Sequence, residues 1–478
     1  MLQSIQERVQ ALLHSANPLS EDEVQSLIEQ EPELAKLLIL EQSRRLRELD
    51  AASAPSPSTP SGMVPAYQKP AVKKRKKKPG RPEGHKGVRR AAPPQIDREV
   101  EHRLDRCPEC ASPLRPCTSP HSTRTRIIED IPEAIHPVVT KHLLHRDYCP
   151  SCKKLVEPKI PDALPNAAIG NRLVALSAHW HYGLGMPISQ IVELLNTHLH
   201  FPLSEGGLVQ MWQRLAQVLE PWYEQLTDRV QTAAVLHADE TGWRVNGKTH
   251  WLWCFTTQDA TVYMIHPSRG SPALLAFFKE AFEGALITDF WAAYDAIANG
   301  KRQFCLAHLL RELEKVDQTN SSSDWCAFSK KARRLFRDAL RLRAREGYAP
   351  DAYASRIQRL YGRLVDLMLI ESADADVRRL AKRLQKYWEE LLTFLEDPTV
   401  PATNNHAERE IRPAVIMRKV MQGNRSDKGA QTQSVLMSLL RTLKRRDLPV
   451  VDTVVDALQS IASGHALPLF PGKLASGG

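Results

Sequence analysis

VLHADETGW, residues 235–243, sets the question that decides the fold. Val235, Leu236 and Ala238, with His237 among them, suit a buried strand, yet the run passes straight into Asp239 and Glu240. Charged side chains are almost never fully buried unless they are paired or bound to metal. A core strand that ends in acid therefore points to a site rather than to a turn.

Reading outward, AAVLHADETGWRV, THWLWCFTTQ and ATVYMIHP predict three strands, with Asn246-Gly247 as a hairpin turn between the first two. SPALLAFFKEAF has apolar residues three and four apart and predicts a helix. GALITDFWAAYDAI follows, a buried strand LIT that again ends in acid, Asp289. This β-β-β-α-β order is that of the ribonuclease H-like fold, in which the first and fourth strands are neighbours. Asp239 and Asp289 are then expected side by side, with a third carboxylate from a later helix. PATNNHAEREIRP (401–413) offers one: Asn405 is expected to cap a helix that carries Glu408 one turn in. Asn405-His-Ala-Glu408 is itself close to a capping box, which is the structural alternative for Glu408.

The 478 residues allow two to four domains, and 42% hydrophobic with 25% charged residues is ordinary for a globular protein. No run of about 18 apolar residues predicts a membrane span. MLQSIQERVQ lacks a secretory pattern, so a cytoplasmic location near the nucleoid is expected. The net charge of +10 is unevenly spread: KKRKKKPGRPEGHKGVRR (73–90) holds ten Lys/Arg against one Glu. Such a block stays solvated or binds a polyanion. Lys73, Lys74, Arg75, Lys76, Lys77, Lys78 and Arg81 are expected to contact DNA phosphates, gaining affinity by counterion release. Pro79-Gly80-Arg81-Pro82 resembles the core of an AT-hook, with Pro79 where a second Arg would sit. A Pro/Ser-rich linker precedes the block.

Cys107-Pro-Glu-Cys110 and Cys149-Pro-Ser-Cys152 each place two thiols on one tight turn. Two such knuckles predict a structural Zn2+ bound by four thiolates, a redox pair being the alternative; Cys117 reads as a bystander. The β-branched residues of 124–148 predict strands between the knuckles. Residues 1–50 read as helices, with a capping box at Ser20-Glu21-Asp22-Glu23. In 170–216, a helix opened by Pro187-Ile188 and another capped by Ser204 read equally as a helix-turn-helix or as two packed core helices.

HADETGWRVNGKTHWLW, LITDFWAAYDA, QFCLAHLLREL and TNNHAEREIRPAVIMRK closely resemble the transposases of the insertion sequence 66 family. The paired CxxC knuckles and KPGRPEGHKG before them match as well. The resemblance runs from about residue 70 to the end. It implies a DDE transposase with Asp239, Asp289 and Glu408 holding Mg2+ or Mn2+; Glu240 and Glu410 lie nearby without holding the family positions. Arg409, Arg412, Arg418 and Lys419 then read as phosphate contacts, generic solvated charge being the alternative. Cys305-Leu-Ala-His308 looks like a CxxH motif found in several transposase groups, with helix packing and metal binding both open. The implied layout is an N-terminal helical segment (1–50), linker and basic arm (51–99), zinc-ribbon-like module (100–155) and a helical region (165–228). A catalytic core (229–318 and 400–460) follows, split by a helical insertion (319–399), then a tail (461–478). Double-stranded DNA, a homodimer or larger assembly, and small accessory proteins of the same element are the expected partners. A structure-specific nuclease on the same fold and a non-catalytic DNA-binding regulator are the competing readings.

Overall fold

The computed structural model of the chain describes residues 135–472 apart from 280, 298 and 346, and before them residues 21–32, 34–39, 42, 45, 93–101, 104–113, 115 and 127–128. The linker, the basic arm with Lys73 to Arg81, and Cys117 lie outside the described residues. Helix α1 (Glu21–Gln30) falls where the capping box predicted a helix.

A short antiparallel hairpin, β1 (Asp147–Cys149) and β2 (Lys154–Val156), carries the second cysteine knuckle. Residues 135–146 form no strand, and Val138 and Val139 are 94% and 89% exposed, against the strands expected there. A β-branched run becomes a strand only where a partner ladder or a packed face accepts it, and here neither is present among the described residues.

Helices α2 (Asn171–Ala178), α3 (Ile188–Glu193) and α4 (Glu205–Gln231) follow. Ser204 caps α4 as expected, its side chain accepting from Gly207 N. Helix α4 runs 27 residues, and Leu208, Trp212 and Leu215 on it are buried in the main core.

The chain then builds one five-stranded mixed sheet: β3 (Val235–Val245), β4 (Lys248–Thr256), β5 (Thr261–His266), β6 (Phe282–Thr288) and β7 (Asn299–Phe304), in the order β5-β4-β3-β6-β7. The first three strands are antiparallel; β6 and β7 run parallel to β3. Asn246 and Gly247 both have positive φ (49° and 73°), the geometry that tight hairpins need and that Asn-Gly supplies with little strain. Helix α5 (Ser271–Phe278) makes the crossover between β5 and β6.

Strand β3 does not end at its acid. It pairs with β4 as far as Val245, but its ladder with β6 stops at His237–Ile287. The acid thus sits where the parallel neighbour runs out, which opens one side of a strand that otherwise continues.

Helices α6 (Leu306–Val316), α7 (Ser323–Ala344), α8 (Pro350–Met368), α9 (Ala375–Lys386) and α10 (Thr393–Glu396) come next, sharing a core with Ile287 and Phe304 of the sheet. Helix α11 (Asn405–Met421) returns to the sheet and packs Ile411, Ala414 and Met417 on Trp243 and Val245. Helix α12 (Asp427–Arg445) covers the open edge of β5. Its Ser434, Ser438 and Thr442 hydroxyls, one turn apart, accept from the backbone N of Ile265, Tyr263 and Thr261. An edge strand with unpaired amides is thereby satisfied by side chains of a helix. Helix α13 (Val450–Ala462) closes the fold.

Candidate active site

The parallel register brings the two aspartates together. Val235 faces Ala285, Leu236 faces Leu286 and His237 faces Ile287, so two residues further on Asp239 is level with Asp289. Side chains alternate along a strand. Leu236 and Ala238 enter the main core, while His237 and Asp239 share the face that carries Trp243 and Val245. That face is covered by α11, which delivers Glu408 from its first turn.

Asn404 fixes this docking. It is 1% exposed; its Nδ2 donates to Ala238 O (2.7 Å), and its Oδ1 lies 3.0 Å from His237 Nδ1. Because Nδ2 already donates, Oδ1 is the acceptor and His237 Nδ1 carries the proton. Burial lowers the His237 pKa to about 4, so the ring is neutral at pH 7. The Asn404 backbone N donates to Cys305 Sγ (3.1 Å), and Cys305 N donates to Thr288 O (2.9 Å), next to Asp289. The expected cap therefore shifts: α11 begins after Asn404, and no side chain caps it. A capping box at Glu408 is ruled out by the same geometry.

Glu408 reaches instead toward α6. Its Oε1 accepts from Arg311 Nη2 (2.5 Å) and lies 3.5 Å from His308 Nε2. Among the described residues, Cys305, His308 and Glu408 form the one set of three His, Cys, Asp or Glu whose ligating atoms all lie within 4.8 Å of one another. Of the CxxH motif, Cys305 is fully buried, and His308 looks onto Glu408. Asn404 and Arg311 were not singled out from sequence. A signal for Arg311 is there, since Cys305, His308 and Arg311 recur every third residue and share a helix face.

The charges separate the acids by role. Asp239 Oδ1 accepts from Glu240 N and Asp289 Oδ1 from Trp291 N, each at 2.9 Å, and neither pairs with Lys or Arg among the described residues. Desolvation, then the negative charges of Glu240, Asp289 and Glu408, hold the Asp239 carboxyl well above the usual range. Glu240 alternates onto the opposite face. Its Oε1 accepts from Arg269 Nε and Nη2 (3.1 and 2.9 Å) and its Oε2 from Tyr294 OH (3.0 Å). Burial and the charge of Asp289 push it up to about 7 despite Arg269. Glu410, one of the nearby acids, is 3% exposed and paired with Arg441 (2.7 and 3.2 Å) inside the fold. Glu410 is thus neutralised inside the fold, whereas Asp239 lies near enough to Asp289 and Glu408 for their charges to raise its pKa, although the three acids are not drawn together within 4.8 Å.

Arg409, Arg412 and Lys419 are exposed on the solvent side of α11. Arg418 Nη1 donates to Thr241 Oγ1 (3.0 Å) and Gly242 O (2.7 Å), strapping α11 to β3. The two knuckles turn alike. Ala111 and Lys153, each following a second cysteine, have φ of 58° and 49°, and Cys152 N donates to Cys149 Sγ (3.4 Å). The four thiols of Cys107, Cys110, Cys149 and Cys152 are not drawn together within 4.8 Å.

Residues 166–432 match the family described as "Transposase IS66 family". The chain belongs to that family. It is also similar to three proteins of Sinorhizobium fredii (strain NBRC 101917 / NGR234), each described as uncharacterized. One, y4jD, is 23% identical over 415 residues, covering 78% of this chain and 77% of that protein. Another, y4hP, is 22% identical over 384 residues, covering 72% and 69%. The third, y4qI, is 25% identical over 327 residues, covering 61% of this chain and 60% of its own length. Among the described residues no helix is long and apolar enough to cross a membrane.

Two predictions follow from the acids. Glu410→Ala leaves the part-buried Arg441 without its partner and is expected to destabilise the fold by about 1–3 kcal/mol. Glu408→Ala, at a side chain 33% exposed, should leave the thermal midpoint nearly unchanged. Thermal melts of both variants decide; equal losses would contradict the division of roles. Second, Asp239 binds its proton more tightly folded than unfolded, so ionising it costs stability. Asp239→Asn should therefore stabilise the metal-free protein, by an increment that grows as pH rises above the usual carboxylate range. Mg2+ should raise the Tm of the wild type and not of this variant. A wild-type advantage that grows with pH in EDTA would contradict it.

Proposed function

We propose that this protein is a DNA transposase whose ribonuclease H-like core cuts and joins DNA strands through Asp239, Asp289 and Glu408. The observation that carries this reading is the level register of Asp239 and Asp289 beyond the β3–β6 ladder, with no Lys or Arg on either among the described residues and Glu408 near enough for its charge to raise the Asp239 pKa. Such a cluster is costly unless a cation joins it. The strand order, central strand flanked by an antiparallel pair on one side and a parallel pair on the other, supports the ribonuclease H-like assignment. The helices between β7 and α11 are then the insertion that splits the core.

Bound divalent ions would supply a polarised phosphate, an activated water and a stabilised leaving oxygen. The chain's own groups do the rest. Asp239 and Asp289 are held rigid by the β3–β6 register. Arg311 and His308 hold Glu408 at the mouth of the site. Arg409, Arg412 and Lys419 on the same helix offer positive charge to the DNA backbone, positioning it without reading sequence. Water attacks the phosphodiester at an element end and breaks its P–O3′ bond, freeing a 3′-hydroxyl; that hydroxyl attacks a target phosphodiester and displaces the target's own 3′-oxygen. Holding two ends at once requires at least a dimer, and the basic arm, with Lys73 to Lys78 and Arg81, supplies affinity independent of sequence. The element's small accessory proteins and a place in the cytoplasm beside the nucleoid belong to the same reading.

The two knuckles support a structural Zn2+ on Cys107, Cys110, Cys149 and Cys152. Left-handed residues after each second cysteine and an amide donor to Cys149 Sγ are what a thiolate pair on a tight turn needs. Binding would draw the two turns together and order residues 100–155.

Asp239→Asn, Asp289→Asn and Glu408→Gln are each expected to abolish strand cleavage in Mg2+ while duplex DNA binding persists. Cleavage retained by any one removes that residue from the site, and cleavage without joined product would reduce the reading to a nuclease. For the knuckles, one zinc per chain is expected by elemental analysis. Chelation or Cys149→Ser should expose 100–155 to protease, and full resistance without zinc would sink the assignment.

A further inference from the structure

Helix α9 carries Arg379, Lys382, Arg383 and Lys386 along one face, spaced three, one and three residues apart. They line a cleft of about 460 Å3 together with Phe290 and Tyr387. Phe290 directly follows Asp289, so the cleft begins one residue from the acid cluster.

The cations are set in place from behind. Glu312 of α6, its side chain 7% exposed, accepts from Arg379 Nη1 with one oxygen and from Arg383 Nη1 with the other. Asp295 likewise takes both Lys386 (2.8 Å) and the buried Arg302 (2.7 Å). Arg379 Nη2 also donates to Asp376 Oδ1 (3.2 Å), so Glu312, Asp295 and Asp376 face Arg302, Arg379, Lys382, Arg383 and Lys386, which leaves positive charge in excess. An arginine has five N–H donors in a rigid fork, so fixing Nη1 orients the Arg383 plane and leaves its other donors available, whereas Arg379 is held through both Nη groups. The Arg383 guanidinium lies 5.4 Å from the Phe290 ring centre and the Lys386 ammonium 4.5 Å from that of Tyr387. Lys382 is exposed and has no partner among the described residues.

We propose that this face of α9 is a DNA-backbone clamp that holds the strand leaving the acid cluster. Seven residues of helix span about 10 Å, and successive phosphates of a duplex strand advance about 3.4 Å each along its axis, so the face meets about three nucleotides. Charge complementarity selects a polyanion, and the neighbouring phosphoryl-transfer site selects DNA. The inference rests on the transposase reading and adds a surface on the helices between β7 and α11 to it. The contacts are to phosphates and carry no sequence preference of their own.

The test is the salt dependence of binding of a short duplex oligonucleotide to the full-length chain. Each phosphate contact contributes about −0.9 to the slope of log K against log salt. Lys382→Gln with Lys386→Gln should make the slope shallower by about 1.8. Between about 50 and about 200 mM salt the wild type then loses about 12-fold more affinity than the double variant. Lys330→Gln with Lys331→Gln, the same charge change on exposed positions of α7, is the control and should leave the slope unchanged. Lys382→Gln alone removes no partnered group and should account for about half of the shift. An unchanged slope in the α9 variants, or an equal change in the control, overturns the clamp and leaves the transposase reading standing. A wild type that does not bind DNA overturns both.

Discussion

One buried side chain ties the candidate site together. Asn404 joins β3 through Ala238 O and His237, and its own backbone N reaches Cys305 Sγ. Cys305 in turn bonds to Thr288, the residue before Asp289. The segments that present Asp239, Asp289 and Glu408 are therefore linked by four hydrogen bonds that pass through two residues. Every partner in this chain is buried, where an unmade hydrogen bond costs about 1–3 kcal/mol. That cost makes the arrangement close to all-or-none, which suits a site whose donors must be held in place before any ion or DNA arrives.

The remaining charges follow from the same constraint. Glu240 is met by Arg269 and Tyr294, Glu410 by Arg441, and Glu312 by Arg379 and Arg383. These acids neutralise cations that the fold itself supplies. Among the described residues Asp239 and Asp289 receive backbone amides and no cation, while Glu408 is paired with Arg311 and lies beside His308. The contrast separates acids that stabilise the fold from acids held ready for an ion.

Much of this was legible in the sequence. Asn-Gly between two apolar runs located the β3–β4 hairpin, and the two acid-terminated runs located the aspartates, because period-two patterning and turn chemistry are local signals. Strand β7 was not legible. Its NGKRQF lacks apolar alternation, and it is buried only because distant groups satisfy it: Gln303 bonds to Leu391 O and Phe394 N, and Arg302 to Asp295. Asn404 was hidden for a similar reason. A residue before a helix reads as a cap, and only the sheet beneath it shows that its amide is used elsewhere. Arg418 looked like surface charge in a basic helix until Thr241 and Gly242 appeared beside it. Over 135–146 the expected strands failed in the opposite sense, with the right residues and no partner among the described residues.

The central claim is that three acids from three segments share divalent cations. A crystal structure with Mn2+, using its anomalous signal to place the ions, tests it most directly. The account predicts one or two ions ligated by Asp239, Asp289 and Glu408, with Glu408 turned from Arg311 toward the metal. Mn2+ bound elsewhere, or ligated by Glu240 or Glu410 in place of this set, would contradict it.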